Sequence, residues 1–499
     1  MYASKLLRRL LFVIFIGFVG VSVASGISTY KQREYIVLQQ ASGVKTTDNI
    51  EKYLPSFQHD LGAFSKDSEN VLVLLFDGFS GSHLQIIFDQ FPEFKEAFQG
   101  FVYYPNTLSL DGNTTITAHT ILSGFKTSAF NHREGNIEAF WNAAADGLKQ
   151  TYKALRDSGF SVQSYGMPHI KPDKDLGDNI AVHATNWIFS SNMDYSLYYE
   201  KLYGLTPLLQ ELRAQNRPVG ELVSLGLFYF APYTLRARIY SVHFTENSEY
   251  ADYAWIFATD KLKNARFLSG VNTTSQLASI VRNLNAEARG KTFKYIHTLH
   301  THYPWVLDST TCIPSIEAKT QLPDQYKPFL PNPHHYDNEI CAIKETMILI
   351  DFLKKNHIYD NTMIVLVSDH SYNDLPAHNM PNQPSYANNP NPLLAIKDFN
   401  SNKPLATDSR LMSNADVYGI LCDKFSICSD AKDIRKHYPK HREILHTLNV
   451  EWTDEVRKMP KLYFEKMWIV RDNVLNPKAF KDITQDFKNG TLKLDGVEH

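Results

Sequence analysis

The sequence predicts an α/β body: a mostly parallel central sheet with helices on both faces, carried behind one N-terminal membrane helix. Three observations predict it. Two continuous apolar runs of strand length, and a third of similar design that contains Lys294, end in polar residues, as strands buried on both faces of a parallel sheet do. Segments with helical apolar spacing lie between them. A charge-free apolar run near the start follows a basic cluster.

The N-terminal element comes first in the chain. Lys5, Arg8 and Arg9 precede residues 10–27, LLFVIFIGFVGVSVASGI. A run of about eighteen apolar or small residues is at the lower limit for a spanning helix, and the flanking charges predict a cytoplasmic N-terminus with the body translocated. A cleaved signal peptide is the rival reading, because Ser22-Val23-Ala24 forms a small-x-small site. The length of the run favours a retained anchor over 1–27. Residues 28–66 are polar and weakly periodic, and read as a stalk.

The buried strands follow. NVLVLLFDGFSG (70–81) ends its apolar run at Asp77-Gly78, TFKYIHTLHTHYPW (292–305) ends in histidines, and TMIVLVSDHS (362–371) ends in Asp369-His370. Residues 140–157, FWNAAADGLKQTYKALRD, read as a helix closing at Gly159 before a strand FSVQSYGM. Ile340, Ile343, Met347, Ile350 and Leu353 mark one apolar helix face feeding the 362–368 strand. The catalytic-type body spans 67–445, with a C-terminal extension over 446–499. An insertion over about 183–260 carries VGELVSLGLFYFAPYTLRARIY, an apolar run too short to cross a bilayer. It suits an interfacial or lid segment, or a helix packed on the core.

Composition limits the function classes. With 43% hydrophobic and 21% charged residues among 499, the chain can bury a large core. A net charge of -2 lacks the basic excess of a nucleic-acid binder. The four cysteines, Cys312, Cys341, Cys422 and Cys428, are even in number and form no CxxC motif. Local pairing, Cys312–Cys341 and Cys422–Cys428, is the simplest arrangement for an oxidising compartment.

Chemistry gathers at the strand ends, where open α/β sheets bind ligands. Asp77, Asp369 and His370 offer two carboxylates and an imidazole, a donor set for zinc or manganese that leaves a position open; calcium also accepts oxygen donors. Between these residues in sequence lies LDGNTTITAHTILSG (110–124), rich in hydroxyls. A divalent cation lowers the pKa of a bound oxygen by many units, and exposed N–H groups at a helix start favour a phosphate. Chemistry alone leaves Thr114 and Thr115 both open as nucleophile.

NVLVLLFDGF, GNTTITAHTILSG, HTHYPW and YDNTMIVLVSDHS, in this order, resemble the alkaline phosphatase/sulfatase superfamily over roughly residues 68–445. They are most similar to its bacterial membrane-anchored phosphotransferases: lipoteichoic acid synthase and the phosphoethanolamine and phosphoglycerol transferases. The resemblance implies an alkaline phosphatase-like fold. In that family the nucleophile commonly lies ten residues before the glycine ending its helix, which from Gly124 implies Thr114, with Thr115 in reserve. It further implies a metal held by Asp77, Thr114, Asp369 and His370. His302 resembles the histidine that meets the phosphate group or a second metal, and His378 the histidine a short way past the SDH motif. His297, His300, His334 and His335 receive no role.

The implied activity is metal-dependent transfer of a phosphoethanolamine- or phosphoglycerol-type group from a phospholipid donor to an envelope glycan, through a covalent threonine intermediate. The membrane anchor would hold the catalytic domain on the periplasmic side of a bacterial inner membrane. A phosphatase, phosphodiesterase or sulfuric ester hydrolase is the alternative, and a silent envelope-binding protein a third reading. The departures are informative. Thr114-Thr115-Ile116-Thr117-Ala118 lacks both the convertible residue and the arginine of the sulfatase C/S-x-P-x-R motif, which argues against ordinary sulfatase chemistry. Ser371 stands after SDH where a glycine is common, and this chain has one apolar segment where the transferases usually carry several.

Overall fold

The structure is a computed structural model that describes residues 57–168, 170, 176–183, 259–315, 332–372, 390–448 and 458–499. The expected anchor (1–27), most of the stalk, nearly all of the insertion and His378 lie outside the described residues. Among the described residues, no helix is long and apolar enough to cross a membrane. The chain divides into two compact units. One comprises residues 1–52 and 206–265, almost all outside the described set; the other comprises Tyr53–Leu205 and Arg266–His499, and the fold below is that of the second.

Its strands are β1 Asn70–Phe76, β2 Phe101–Tyr103, β3 Thr107–Leu108, β4 Phe160–Tyr165, β5 Ile180–His183, β6 Lys291–Thr298 and β7 Thr362–Val367. They continue with β8 Leu394–Lys397, β9 Ala406–Thr407, β10 Met412–Ser413, β11 Glu443–Leu448, β12 Lys466–Arg471, β13 Phe480–Asp482 and β14 Val497–Glu498. Eight form the main sheet, in the order β5-β4-β6-β1-β7-β8-β2-β9. Within it β8 alone runs against its neighbours, pairing antiparallel with β7 and β2. The sheet is mostly parallel, as expected.

Burial explains why the apolar runs sit at its centre. Every residue of β1 and of β7 is buried. Side chains alternate across a strand, so Leu72, Leu74 and Phe76 of β1 enter one core with Leu84 and Ile87 of helix Gly81–Gln90 and Ile340, Ile343 and Ile350 of helix Pro333–Lys355. Val71, Val73 and Leu75 enter the opposite core with Leu148, Tyr152 and Leu155 of helix Ile137–Asp157 and Val417, Ile420 and Leu421 of helix Asp416–Phe425. Each face of the sheet is thus covered by helices, which is what a strand without a polar face requires.

Helix Ile137–Asp157 contains Gly147, a residue that weakens a helix interior by roughly 1 kcal/mol relative to alanine. The reason is close packing: a Cβ there would stand 2.7 Å from Thr127 Cγ2 and 3.1 Å from Ser123 Cβ. Residues 443–499 add a second, four-stranded sheet in the order β13-β12-β11-β14. Both expected disulfides are present, Cys312–Cys341 and Cys422–Cys428. The first ties the loop after β6 to helix Pro333–Lys355.

Candidate active site

The carboxyl ends of β1, β6 and β7 are adjacent because these strands pair in parallel register, with Leu75 opposite both His297 and Val367. Asp77 follows β1 directly, and Asp369-His370 follow β7 after one serine. Gly78 turns the chain at a φ of 72°, a backbone conformation natural to glycine. Its N–H donates to Asp369 Oδ1 at 3.1 Å, so the turn after one strand orients the carboxylate after the other. Asn414 Nδ2 donates to the backbone carbonyls of Ser368 and Asp369 at 3.1 and 2.7 Å and holds the second turn in place.

Thr114 enters from a different element. The segment after Gly112-Asn113 forms two short helices, Thr114–Thr117 and Thr120–Ser123. Asn113 caps the first by accepting from Thr115 N–H at 2.9 Å. The other hydroxyls are consumed locally: Thr115 donates to Asn113 Oδ1, Thr117 to the Asn113 carbonyl, Thr120 to the Thr117 carbonyl and Ser123 to the His119 carbonyl. Such side-chain-to-backbone bonds compete with a continuous helix. Thr114 differs from all of these. Its Oγ1 lies 3.1 Å from His370 Nε2 and 3.4 Å from Asp77 Oδ2.

The C-terminal sheet holds the loop that leads to Thr114. His446 Nδ1 donates to the Ser109 carbonyl at 2.7 Å, Thr447 N–H to the Leu110 carbonyl at 2.8 Å, and Thr447 Oγ1 to Asp111 Oδ2 at 2.8 Å. All three contacts come from β11.

Asp77, Asp369 and His370 each present a ligand atom within 4.8 Å of the others, and all three are buried. Asp77 Oδ1 and Asp369 Oδ2 are buried without a hydrogen-bond partner, which is costly unless a cation takes the place of the missing donors. His370 Nδ1 donates to the Ser371 carbonyl at 2.7 Å. This directs the Nε2 lone pair toward Thr114 and the carboxylates, the arrangement usual for a metal-ligating histidine. The residues therefore fit a divalent cation held by two carboxylate oxygens, an imidazole and a hydroxyl, a donor set suited to zinc or manganese.

His297, which received no role from the sequence, is part of this site. Its Nε2 is 2.9 Å from Asp77 Oδ2 and its Nδ1 2.9 Å from the Gly166 carbonyl. Both partners are acceptors only, so both contacts are hydrogen bonds only if both ring nitrogens carry protons. Burial works against that charge, but the hydrogen bond and charge of Asp77, then the charge of Asp369, outweigh it and raise the imidazole above its ordinary value. The reciprocal effect falls on Asp77. Burial would raise its carboxyl; the charge of His302, with the hydrogen bond and charge of His297, holds it well below the usual carboxylate range. The sequence signal for His297 was a histidine inside a strand buried on both faces, where an apolar residue is expected.

His302 is half-buried, its Nδ1 donates to the Tyr303 carbonyl at 2.6 Å, and its charge acts on Asp77. The described residues thus bring Asp77, Thr114, Asp369, His370 and His302 to one end of the sheet.

No protein-family model matches the sequence, and no curated protein matches it. Solved structures do. The lipoteichoic acid synthase LtaP from Listeria monocytogenes aligns at 11% identity over 86% of this chain and 93% of its own, with a TM-score of 0.40. The phosphonate monoester hydrolase SpPMH from Silicibacter pomeroyi aligns at 14% identity over 83% and 88%, with a TM-score of 0.47. A putative sulfatase, yidJ, from Bacteroides fragilis aligns at 10% identity over 85% and 93%, with a TM-score of 0.41. By their names these neighbours are a synthase, a hydrolase and a putative sulfatase.

Proposed function

We propose that this chain is a metal-dependent transferase that moves a phosphoethanolamine- or phosphoglycerol-type group from a phospholipid to an envelope glycan, with Thr114 as the nucleophile. The observation that carries this reading is the placement of Thr114 Oγ1 3.1 Å from His370 Nε2 and 3.4 Å from Asp77 Oδ2. The neighbouring hydroxyls are engaged with their own backbone or cap. A divalent cation held by Asp77, Asp369, His370 and Thr114 Oγ1 would lower the pKa of the hydroxyl and offset charge on the phosphoryl oxygens.

In the first half-reaction, Thr114 Oγ1 releases its proton to solvent and bonds to phosphorus. The bond from phosphorus to the lipid alcohol breaks, and the alcohol leaves protonated, with His302 placed to orient the phosphate group or supply that proton. In the second, an acceptor hydroxyl attacks the phosphothreonine and loses its proton, the Oγ1–P bond breaks, and Thr114 Oγ1 takes up one proton in exchange. His297 keeps Asp77 ionised and oriented throughout. The apolar run over 10–27 supports a lipid donor, with the catalytic body on the extracytoplasmic side of a bacterial inner membrane.

The test is mass spectrometry of the Leu110–Gly124 peptide after incubating the full chain with isotopically labelled phospholipid and zinc or manganese. The expected result is a labelled phosphoethanolamine or phosphoglycerol adduct on Thr114, absent from Thr114→Ala. Thr114→Ala should reduce turnover to background, whereas Thr115→Ala should keep it within about tenfold of wild type, since Thr115 contributes a cap-side hydrogen bond worth about 1 kcal/mol. Full activity in Thr114→Ala would end this mechanism. Release of the group to water at the same rate with and without glycan would make the protein a hydrolase.

A further inference from the structure

A second cluster of metal-binding residue types shares no residue with the first. His83, on helix Gly81–Gln90, meets His335 and Glu339, one turn apart on helix Pro333–Lys355. One ligand atom from each lies within 4.8 Å of the others. His83 is 1% exposed and the other two 0%, so solvent does not reach the cluster. We propose that these three residues bind a second divalent ion of the zinc class, separate from the catalytic cluster and structural in role.

Helical spacing supports the assignment. Positions i and i+4 lie on one face, so His335 and Glu339 form a two-ligand clip, with His335 Nε2 3.5 Å from Glu339 Oε1. His83 faces the clip from the other helix, its Nδ1 hydrogen-bonded to Glu339 Oε2 at 2.5 Å through a proton that a divalent ion would displace. Two imidazole nitrogens and one carboxylate oxygen make a zinc-type donor set. Ser80 N–H donates to Glu339 Oε1 at 2.8 Å and fixes the carboxylate, the outer contact that ligating carboxylates usually have.

The wall of the pocket is aromatic. The Trp305 ring lies 5.1 Å from that of His335 and 4.9 Å from that of Tyr372, and Tyr336 lies 6.0 Å from His83. A carboxylate and two imidazoles in such a setting are stabilised by a cation they share. Total burial excludes a substrate, so the role is mechanical. Through Ser80 the ion would brace the Asp77–Ser80 turn against helix Pro333–Lys355, and the Cys312–Cys341 disulfide anchors that helix from its other neighbour.

The experiment strips the full-length protein of metal, titrates it with zinc sulfate and counts bound zinc by elemental mass spectrometry. The expected count is two per chain for wild type. An Asp369→Asn/His370→Gln variant, disabled at the catalytic cluster, should keep one zinc, and X-ray absorption should show it ligated by two imidazoles. A His83→Gln/His335→Gln variant should also keep one, and should unfold at a lower temperature than wild type. Two zincs retained in this second variant, or none in the first, would overturn the proposal. If the His83/His335 variant does not fold, the catalytic-cluster variant decides alone, because its second cluster is intact. Loss of catalytic zinc with the second zinc retained leaves the proposed reaction to be judged separately, by the Thr114 adduct.

Discussion

At the residue scale, the site depends on which polar atoms are left for a ligand and which are already occupied. Asp77 shows the division: Oδ2 receives His297 and the Thr114 hydroxyl, while Oδ1 has no hydrogen-bond partner. His297 is therefore a positioning residue that acts through Asp77. Replacing it by glutamine, which can donate to one acceptor but carries no charge, should weaken zinc or manganese affinity by roughly 10–100-fold, the usual effect of losing an outer-shell partner. Metal titration against a competing chelator measures this, with thermal unfolding as the check on folding. Wild-type affinity in that variant would remove His297 from the site. Its link to Asp77 spans 220 positions, and no local pattern announces such a partnership; the sequence showed only a histidine out of place in an apolar strand.

At the scale of elements, the buried strands and amphipathic helices were legible because their signals are local. The apolar run before Asp77 became β1 and the run before Asp369 became β7, each fully buried, and the 140–157 periodicity became helix Ile137–Asp157. The Thr-rich segment was less legible. Its hydroxyls bond to nearby backbone and divide it into two short helices, an outcome set by Asn113, Thr117 and His119 together. Packing of helix Ile137–Asp157 under this segment depends on Gly147. Gly147→Val should destabilise the protein by on the order of 2 kcal/mol, because overpacking costs about 1–3 kcal/mol and exceeds any gain in helix propensity. Equilibrium denaturation measures it, and unchanged or increased stability would show that the helix is free to move away from Ser123 and Thr127.

At the scale of the whole molecule, the C-terminal sheet is joined to the main body by buried polar contacts. Arg442, 1% exposed, pairs with Asp416 through two 2.7 Å hydrogen bonds and donates to Glu498. Arg442→Met should cost about 3–5 kcal/mol, because it leaves the Asp416 carboxylate buried and unpaired. Arg442→Met/Asp416→Leu should recover much of that loss. Chemical denaturation of both variants is the measurement, and a single variant as stable as wild type would contradict the argument.

The same junction gives the molecule an acid sensitivity. Burial, partly offset by the hydrogen bond to the Ser109 carbonyl, pushes the His446 imidazole down to about 4 from 6.5. Between these values the unfolded chain binds more protons than the folded one, so stability rises with pH across this window and is level above it. Acidification from pH 6.5 toward 4 should therefore remove on the order of 3 kcal/mol at this residue. His446→Asn, which preserves a donor to Ser109, should flatten the pH profile of unfolding free energy over that range. An unchanged slope would place the acid sensitivity elsewhere.

The sequence by itself marked the main buried strands and helices, since continuous apolar runs of strand length and helical apolar spacing favour those conformations in water. It also placed Asp77, Asp369 and His370 at strand ends, and the cysteine count and spacing made the disulfide pairing the simplest one. Only the tertiary structure decided the strand order β5-β4-β6-β1-β7-β8-β2-β9, the approach of Thr114 Oγ1 to His370, the contact of His297 with Asp77 and the meeting of His83 with His335 and Glu339. The physical reason is the range of the interactions. Helix and strand formation is governed by neighbours a few residues apart, whereas Thr114 reaches His370 across 256 positions and His83 reaches Glu339 across 256. Contacts of that span exist only once the sheet has closed and its two cores have packed.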